Sequence, residues 1–223
     1  MRVVLTRERG LNDVLVEWLP ADAIVSEVPL TTTHYFDGDE VQRVLRASEF
    51  FGAYRALVVT SARTALYVAL ARMALKEGGS VVSVGPATAR ALESDDVEVD
   101  VVGDGGAEDL APQIAEGPVL MLGAASMRPE LATALQARGI SVTTLACYET
   151  VAAVLSDDDV KKLREGDVVF IGAPSAWLLA KAFVGANSWV VVPGATTATV
   201  VREDHVRVIE GWGPSLREDL RAL

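Results

Sequence analysis

Residues 3–31 read VVLTRERGLNDVLVEWLPADAIVSEVPLT, and residues 120–148 read LMLGAASMRPELATALQARGISVTTLACY. At a constant spacing Leu5 aligns with Leu122, and the apolar positions that follow keep the same spacing. Each segment begins with a short apolar run and continues with apolar residues at helical spacing, which is typical of a strand followed by a helix. The match predicts an internal duplication.

A second pair of similar segments shows that one copy of the repeat is split. Residues 60–93 contain TSARTALYVAL and then SVGPATARALE, while residues 172–203 contain GAPSAWLLAKAF and then VPGATTATVVRE. One copy therefore needs both ends of the chain, whereas the other is continuous. We expect two similar lobes with a ligand cleft between them. Lobe one comprises residues 1–31 and 153–223, and lobe two comprises residues 36–146.

Short apolar runs alternate with helical patterns along the whole chain, which predicts βαβ units and parallel sheets flanked by helices. The expected strands, five per lobe, lie near 2–5, 24–28, 56–59, 80–84, 98–102, 118–122, 141–145, 167–171, 189–193 and 206–209. The expected helices lie near 10–19, 38–50, 62–76, 86–93, 107–115, 128–138, 156–165, 174–184, 195–202 and 214–222. Asp37 and Ser156 each precede an acid-rich first turn and are predicted to cap a helix.

The segments that join the lobes have similar composition. LTTTHYF at 30–36 and CYETVAA at 147–153 are rich in Thr and Tyr, which favour extended chain. We expect the two segments to run side by side as a hinge.

Charge and composition limit the classes of partner. The formal net charge is −11, and half of the 223 residues are apolar. Nucleic acids and anionic membrane surfaces require clustered Lys and Arg, so neither is an expected partner. A small anionic ligand is not excluded, because salt screens distant charges and a local group of donors can outweigh the net charge.

Cysteine content and the N-terminal sequence favour a cytoplasmic protein. The single cysteine, Cys147, cannot form an internal disulfide and lies in an apolar strand end, where a buried, inert thiol is favoured over a nucleophile. MRVVLTRERG lacks the apolar stretch of a signal peptide, and no apolar run approaches the roughly 20 residues of a membrane span.

In parallel sheets of this kind, ligands bind beyond the carboxyl ends of the strands. Small and hydroxylated residues follow most of the predicted strands: Thr6-Arg7, Gly172-Ala173-Pro174-Ser175, Gly194-Ala195-Thr196-Thr197, Gly211-Trp212-Gly213, Thr60-Ser61-Ala62-Arg63, Gly85-Pro86-Ala87-Thr88, Gly103-Asp104-Gly105-Gly106 and Gly123-Ala124-Ala125-Ser126. Backbone N–H groups at helix starts bind anions. The same residues are also ordinary turn and capping residues, and the sequence leaves both interpretations open.

Signatures of other chemistries are absent from the sequence. GDGG at 103–106 does not have the G-x-G-x-x-G spacing, and no phosphate loop or nucleophile elbow occurs. His34 and His205 stand far apart without Cys or acidic clusters around them, so we expect neither a metal site nor a cofactor. An enzyme of this type would work mainly by holding its substrate.

The motifs together resemble the uroporphyrinogen-III synthase family over nearly the whole chain. They are V-L-T-R near the N-terminus with P-L downstream, V-V-T-S-A-R, V-G-P-A-T-A, A-R-G-I-S-V-T-T-L-x-x-Y-E-T and P-G-A-T-T-A. The resemblance implies two flavodoxin-like lobes joined by two crossing strands. It also implies a cofactor-free lyase of heme and other tetrapyrrole biosynthesis, which cyclises hydroxymethylbilane, inverts its last ring and releases water through a spiro intermediate.

The resemblance also assigns residues. Tyr148 is expected to be the general acid that helps the hydroxyl depart, although a structural tyrosine closing the hinge is the alternative. The expected substrate-binding residues come from the family motifs and from the loops after the strands: Thr6, Arg7, Thr60, Ser61, Arg63, Gly85, Thr88, Arg128, Ser175, Gly194, Thr196 and Thr197. The substrate is a linear tetrapyrrole with eight carboxylates. We expect a monomer, and leave open a transient contact with the upstream bilane-forming enzyme.

Lobe one departs from the family pattern at one loop. Where many members have F-T-S-P-S-A, this chain has Ile171-Gly172-Ala173-Pro174-Ser175-Ala176, so two hydroxyls are missing. We interpret the departure as variation rather than loss of activity. It is also the best support for an alternative of another class, a non-catalytic two-lobed protein that binds tetrapyrroles or other small ligands or has a regulatory role. An unrelated two-domain sugar or nucleotide enzyme is disfavoured by the absent phosphate loops.

Overall fold

The chain folds into two compact units. The computed structural model describes residues 1–104 and 106–223, so Gly105, in the loop predicted at 103–106, lies outside the described residues. Unit 1 comprises Met1–Thr32 and Val151–Leu223, and unit 2 comprises Thr33–Thr150.

Strands and helices alternate along the chain. The strands are β1 (Arg2–Leu5), β2 (Ile24–Glu27), β3 (Thr31–Tyr35), β4 (Tyr54–Val59), β5 (Leu75–Ser83), β6 (Val101–Val102), β7 (Val119–Ala124), β8 (Val142–Ala152), β9 (Val168–Phe170), β10 (Trp189–Val192) and β11 (Arg207–Glu210). The helices are α1 (Asp13–Glu17), α2 (Gly38–Arg46), α3 (Ala65–Arg72), α4 (Pro86–Ser94), α5 (Ala107–Leu110), α6 (Glu130–Ala137), α7 (Asp157–Glu165), α8 (Pro174–Ala180), α9 (Ala195–Glu203) and α10 (Leu216–Arg221).

Unit 1 contains a parallel sheet with the strand order β11-β10-β9-β1-β2. Counted along the chain within the unit, this is the flavodoxin-like order 2-1-3-4-5. The strand order reverses between β1 and β9, and ligands of such sheets bind beyond the carboxyl ends of the strands at that point. Along β1, Val3 and Leu5 pack into one apolar cluster and Val4 into another.

Unit 2 has the sheet order β3-β8-β7-β4-β5-β6, in which the strands from β8 to β6 are parallel. Under the split repeat, β7 and β8 correspond to β1 and β2, while β4, β5 and β6 correspond to β9, β10 and β11. With that correspondence the two sheets have the same strand order. The predicted fold class, two mostly parallel sheets flanked by helices, is confirmed, and the repeat predicted from sequence is present in the topology.

The strand β3 lies beside β8 at the edge of the second sheet. The Phe36 amide donates to the Cys147 carbonyl and the Ala153 amide donates to the Leu30 carbonyl, each at 2.9 Å. Because the residue numbers rise on one strand as they fall on the other, the two strands are antiparallel. These are the segments through which the chain passes from one unit to the other.

Both predicted helix caps are confirmed. The Asp37 carboxylate accepts from the amides of Asp39 and Glu40 at 2.9 and 3.1 Å. Ser156 forms a capping box with Asp159, in which each side chain accepts from the backbone amide of the other residue. These caps satisfy amides that a helix start otherwise leaves without partners.

Several predicted helices are too long, and two of them run into other secondary structure. The helix predicted at 62–76 is a 3₁₀ turn over Ala62–Thr64 followed by α3, and β5 already begins at Leu75. Leu-Lys-Glu has good helix propensity, but here this segment pairs with β4 instead. The helix predicted at 107–115 ends at Leu110 and continues as a 3₁₀ turn containing Pro112, which has no amide hydrogen for a helical bond.

No helix in the part of the chain that the structure describes is long and apolar enough to cross a membrane.

Burial of Cys147 makes the stability of the protein depend on pH. The thiol is fully buried in β8, and burial raises its pKa from 9.0 to about 12. Between these two values the unfolded chain has lost the thiol proton and the folded chain keeps it, so stability should fall as pH rises. The contribution is about 1.4 kcal/mol per pH unit.

We therefore predict that the free energy of unfolding falls more steeply with pH above 9 in the wild type than in Cys147→Ala. Denaturant titrations at several pH values between about 8 and 11 measure the difference. Parallel curves for the two proteins would contradict the prediction.

Candidate functional site

A pocket of about 700 Å³ lies at the carboxyl edge of the unit 2 sheet. Its apolar lining includes Val84, Leu110, Met121, Met127 and Leu131, and its polar lining includes Thr60, Glu108, Asp109, Arg128, Glu130 and Tyr148. Three of the residues predicted for the site, Thr60, Arg128 and Tyr148, are thus brought together here. The pocket is large enough for part of a small-molecule ligand and combines an apolar floor with convergent polar groups.

An irregularity in β8 directs Tyr148 at this pocket. Gly123 pairs with Ala146 and Ala124 pairs with Tyr148, so Cys147 is an extra residue in the strand. A bulge of this kind bends a strand and changes the direction of its side chains. The Tyr148 carbonyl accepts from the Ala125 amide at 2.7 Å, which fixes the backbone beyond the bulge. The Tyr148 side chain is 6% exposed and lines the pocket.

A cation lies beside the Tyr148 ring. The guanidinium carbon of Arg63 is 5.9 Å from the ring centroid, and the ring of Tyr35 lies 6.2 Å away on a strand at the sheet edge. Arg63 belongs to the 3₁₀ turn that Ser61 caps, where the Ser61 hydroxyl accepts from the Arg63 amide at 3.2 Å. Ser61 therefore acts on the backbone of Arg63 and is not among the residues that line the described pocket.

Where the strand order of each sheet reverses, a threonine hydroxyl at the end of one strand donates to a carbonyl of the neighbouring strand. In unit 2 the Thr60 hydroxyl, at the end of β4, donates to the Leu122 carbonyl on β7 at 2.8 Å. In unit 1 the Thr6 hydroxyl, at the end of β1, donates to the Phe170 carbonyl on β9 at 2.5 Å. Under the repeat, β4 corresponds to β9 and β7 to β1, so the donating strand differs between the units.

A glycine faces the threonine of unit 2. A Cβ at Gly123 would overlap the Thr60 hydroxyl and the Met127 side chain, so that position has no room for a side chain. Under the repeat, Gly172 corresponds to Thr60 and Thr6 corresponds to Gly123. A Cβ at Gly172 would meet Trp212 and Arg7 rather than Thr6.

The paired G-x-x-T-A loops start two similar helices. Gly85 and Gly194 are the extended N-cap residues of α4 and α9, and in the described residues neither helix receives a side-chain cap. Thr88 and Thr197, the third residue of each helix, are both buried. Their loops present backbone N–H groups at the carboxyl edge of each sheet.

The remaining predicted loop residues are not among the described residues that line the pocket. Ser175 and Thr196 are exposed in the first turns of α8 and α9. Gly85 and Thr88 belong to unit 2 but are not among the described residues that line its pocket. The unit 2 pocket therefore contains only part of the predicted set.

The charges at the pocket are mixed. Arg128 lines it together with Glu108, Asp109 and Glu130, three exposed acidic residues that the sequence analysis did not single out. All three lie in first turns of helices, where acidic residues are common because of the helix dipole, so their positions in the sequence gave no separate signal. A polyanionic ligand would be repelled by these carboxylates, which leaves its binding to the arginines, hydroxyls and backbone amides. In the described residues no group of three or more His, Cys, Asp or Glu is arranged to hold a metal ion.

At the carboxyl edge of unit 1, an aromatic residue accompanies Arg7. The Arg7 guanidinium carbon lies 5.8 Å from the Trp212 ring centroid, and the Trp212 ring lies 6.2 Å from that of Phe170. Trp212 occurs in a loop that the sequence places at this edge, but it matches no family motif and was not predicted as a site residue.

Comparison with known proteins identifies the family. A family model described as uroporphyrinogen-III synthase HemD matches residues 20–210 of this chain. The chain belongs to the uroporphyrinogen-III synthase family. The resemblance found in the sequence motifs is thereby confirmed. No curated protein sequence matches the chain.

Solved structures of the uroporphyrinogen-III synthase family have the same fold. The uroporphyrinogen-III synthetase of Helicobacter pylori is 18% identical, with a TM-score of 0.67 over 100% of this chain and 99% of that one. A mutant uroporphyrinogen III synthase of Thermus thermophilus is 17% identical, with a TM-score of 0.64 over 100% of this chain and 96% of that one. At such identities the likeness concerns the fold.

The surroundings of Gly123 and Gly172 predict different responses to the same substitution. Gly123→Ala places a methyl group on the Thr60 hydroxyl and should cost about 1–3 kcal/mol of stability. Gly172→Ala meets its nearest side chain, Trp212, at 3.5 Å, an ordinary contact, and should change stability by less than about 0.5 kcal/mol. Urea unfolding of both variants tests the pair, and equal losses would contradict the geometry.

Proposed function

We propose that this protein is a uroporphyrinogen-III synthase, a cyclising lyase that converts hydroxymethylbilane to uroporphyrinogen III with inversion of ring D and loss of water. Family membership carries the activity, and the observation that assigns chemistry to this chain is Tyr148 lining the unit 2 pocket. The O–H of a phenol can donate a proton to a departing hydroxyl.

The proposed first step is general acid catalysis by Tyr148. Its hydroxyl donates a proton to the terminal hydroxyl of the substrate, the C–O bond breaks, and water leaves. The pyrrole nitrogen supplies the electron pair that stabilises the resulting carbon. That carbon then bonds to ring D, which gives the spiro intermediate. The bond between ring D and the methylene that joins it to ring C then breaks, and that methylene bonds to the unsubstituted α-carbon of ring D, which inverts the ring. The proton lost from that carbon restores the phenol.

Binding of the substrate is proposed to rest on donors in both units. In unit 2, Arg63 lies beside the Tyr148 ring, and Thr60 and Arg128 line the same pocket. The helix starts at Gly85 and Gly194 present backbone amides, which suit carboxylates. We further assign carboxylate binding to the remaining predicted residues, namely Thr6, Arg7, Ser61, Thr88, Ser175, Thr196 and Thr197.

The charges at the unit 2 pocket support a proposal for which end of the substrate binds there. Glu108, Asp109 and Glu130 disfavour a carboxylate-rich portion, whereas a carbon centre that becomes positive as water departs is favoured beside them. We therefore place the hydroxymethyl end of the substrate at the unit 2 pocket, near Tyr148.

The proposal extends to the setting of the reaction. We place the protein in the cytoplasm as a cofactor-free monomer of the heme pathway. The two segments that join its lobes, 30–36 and 147–153, are proposed to pair as a hinge. The single buried cysteine supports a reducing compartment.

The activity is tested with freshly prepared hydroxymethylbilane, followed by oxidation and separation of the porphyrin isomers. We expect the type III isomer in excess over the type I isomer that forms spontaneously. Type I alone would contradict the proposal, and saturable binding without turnover would favour the non-catalytic alternative.

The role of Tyr148 is tested by Tyr148→Phe, which removes the proton donor and keeps the ring packed. We expect kcat to fall by about a hundredfold or more, the range of general acid catalysis, with an unchanged unfolding midpoint. Tyr35→Phe is the matched control, since it removes a hydroxyl from the neighbouring, half-exposed ring and should leave kcat unchanged. Equal kcat values for wild type and Tyr148→Phe would remove the proposed acid role.

A further inference from the structure

The loop of unit 1 that lacks the two family hydroxyls contacts Trp212. A Cβ at Gly172 would lie 3.5 Å from the indole Cη2 and 3.9 Å from the Arg7 Cγ. A threonine has two further heavy atoms beyond Cβ, and these would compete with the indole and Arg7 for the same space. Gly172 and the indole ring are therefore matched to each other, and the indole occupies the region next to the missing hydroxyl.

The indole holds Arg7 at the carboxyl edge of the sheet. The guanidinium carbon lies 5.8 Å from the ring centroid, an arrangement in which the ring attracts the cation. Phe170, at the end of β9, supports the indole at 6.2 Å. Arginine recognises carboxylates through two parallel hydrogen bonds, provided that its planar group is held in place.

The indole also has a donor whose partner is not a protein group. In the described part of the chain the Trp212 Nε1 is buried and donates no hydrogen bond. Buried indole N–H groups usually have a partner, because an unsatisfied donor is costly. This donor therefore points to an acceptor supplied by a ligand.

Two glycines flank Trp212 in its loop. Gly211 and Gly213 flank it, and a Cβ built at either position would meet no described atom within 4 Å. Gly211 has a φ of +110°, a conformation that residues with side chains rarely adopt. Open space therefore adjoins the backbone on both sides of Trp212.

We propose that Trp212 is a substrate-binding residue of unit 1. Its indole N–H donates to one carboxylate of the tetrapyrrole, and its ring holds the Arg7 guanidinium beside the same carboxylate. The pair takes over the role of the hydroxyls missing at Gly172 and Ala173. This inference rests on the proposed function for the identity of the ligand.

Two substitutions separate the two roles of the indole. Trp212→Phe keeps a ring under Arg7 and removes the N–H, while Trp212→Leu removes both. We expect KM for hydroxymethylbilane to rise about tenfold in Trp212→Phe, the effect of one hydrogen bond to a charged group, and a further few-fold in Trp212→Leu. The value of kcat should change less than KM, because Tyr148 is intact.

Trp189 provides the matched control. The Arg207 guanidinium carbon lies 5.7 Å from its ring centroid, but Trp189 begins β10 at the opposite, amino end of the same sheet. Trp189→Phe should therefore leave KM unchanged. Unchanged KM in both Trp212 variants would overturn the proposal, as would an increase of the same size in Trp189→Phe.

Anaerobic equilibrium binding of uroporphyrinogen III tests the inference independently of turnover. We expect the same order of affinity, with the wild type tightest and Trp212→Leu weakest, in proteins whose unfolding midpoints are compared in parallel. If the wild type binds this probe but yields only type I isomer, the proposed enzyme activity fails. If the wild type yields the type III isomer and the Trp212 variants bind the probe as it does, the inference alone fails.

A double substitution tests the shared space. Gly172→Thr should weaken binding in the wild type, where it crowds the indole, and should partly restore binding in Trp212→Leu, where it returns a hydroxyl to an open position. The two changes would then be non-additive. Additive effects would show that Gly172 and Trp212 do not share one site.

Discussion

One hydrogen bond between neighbouring strands organises the functional edge of each unit. At the point where the strand order reverses, a threonine hydroxyl donates to a carbonyl near the end of the neighbouring strand, from Thr6 to Phe170 and from Thr60 to Leu122. In unit 2 the bond requires a small residue opposite the threonine, and Gly123 is found there. Each strand end leads into a loop at the carboxyl edge. Which of the two strands carries the threonine therefore also determines which loop has a side chain there and which has open space.

Much of the fold could be predicted because its determinants are local or repeated. Apolar runs and capping residues such as Asp37 and Ser156 mark strands and helix starts directly, and the split repeat determines which segments share a sheet. The end of the helix predicted at 62–76 could not be predicted, because pairing with β4 overrides the helix propensity of its last residues.

The candidate site was predictable only where it coincides with motifs. Thr60, Arg128 and Tyr148 come together in one pocket, but the reason that Tyr148 lines it is an extra residue in β8, and no local pattern of apolar residues indicates such a bulge. Trp212, by contrast, belongs to no motif. Its importance depends on Arg7 and Gly172, so only the assembled sheet edge shows that the three belong together.

The discontinuity of unit 1 has a consequence for how the chain reaches its native state during synthesis. Unit 2 is one continuous segment and can form as soon as it leaves the ribosome. By contrast, β1 lies inside the other sheet between β2 and β9, and β9 is made only after the whole of unit 2. Until then the edge of β1 that faces β9 is unpaired, so completion of unit 1 depends on contacts between residues far apart in the sequence and is the slower event.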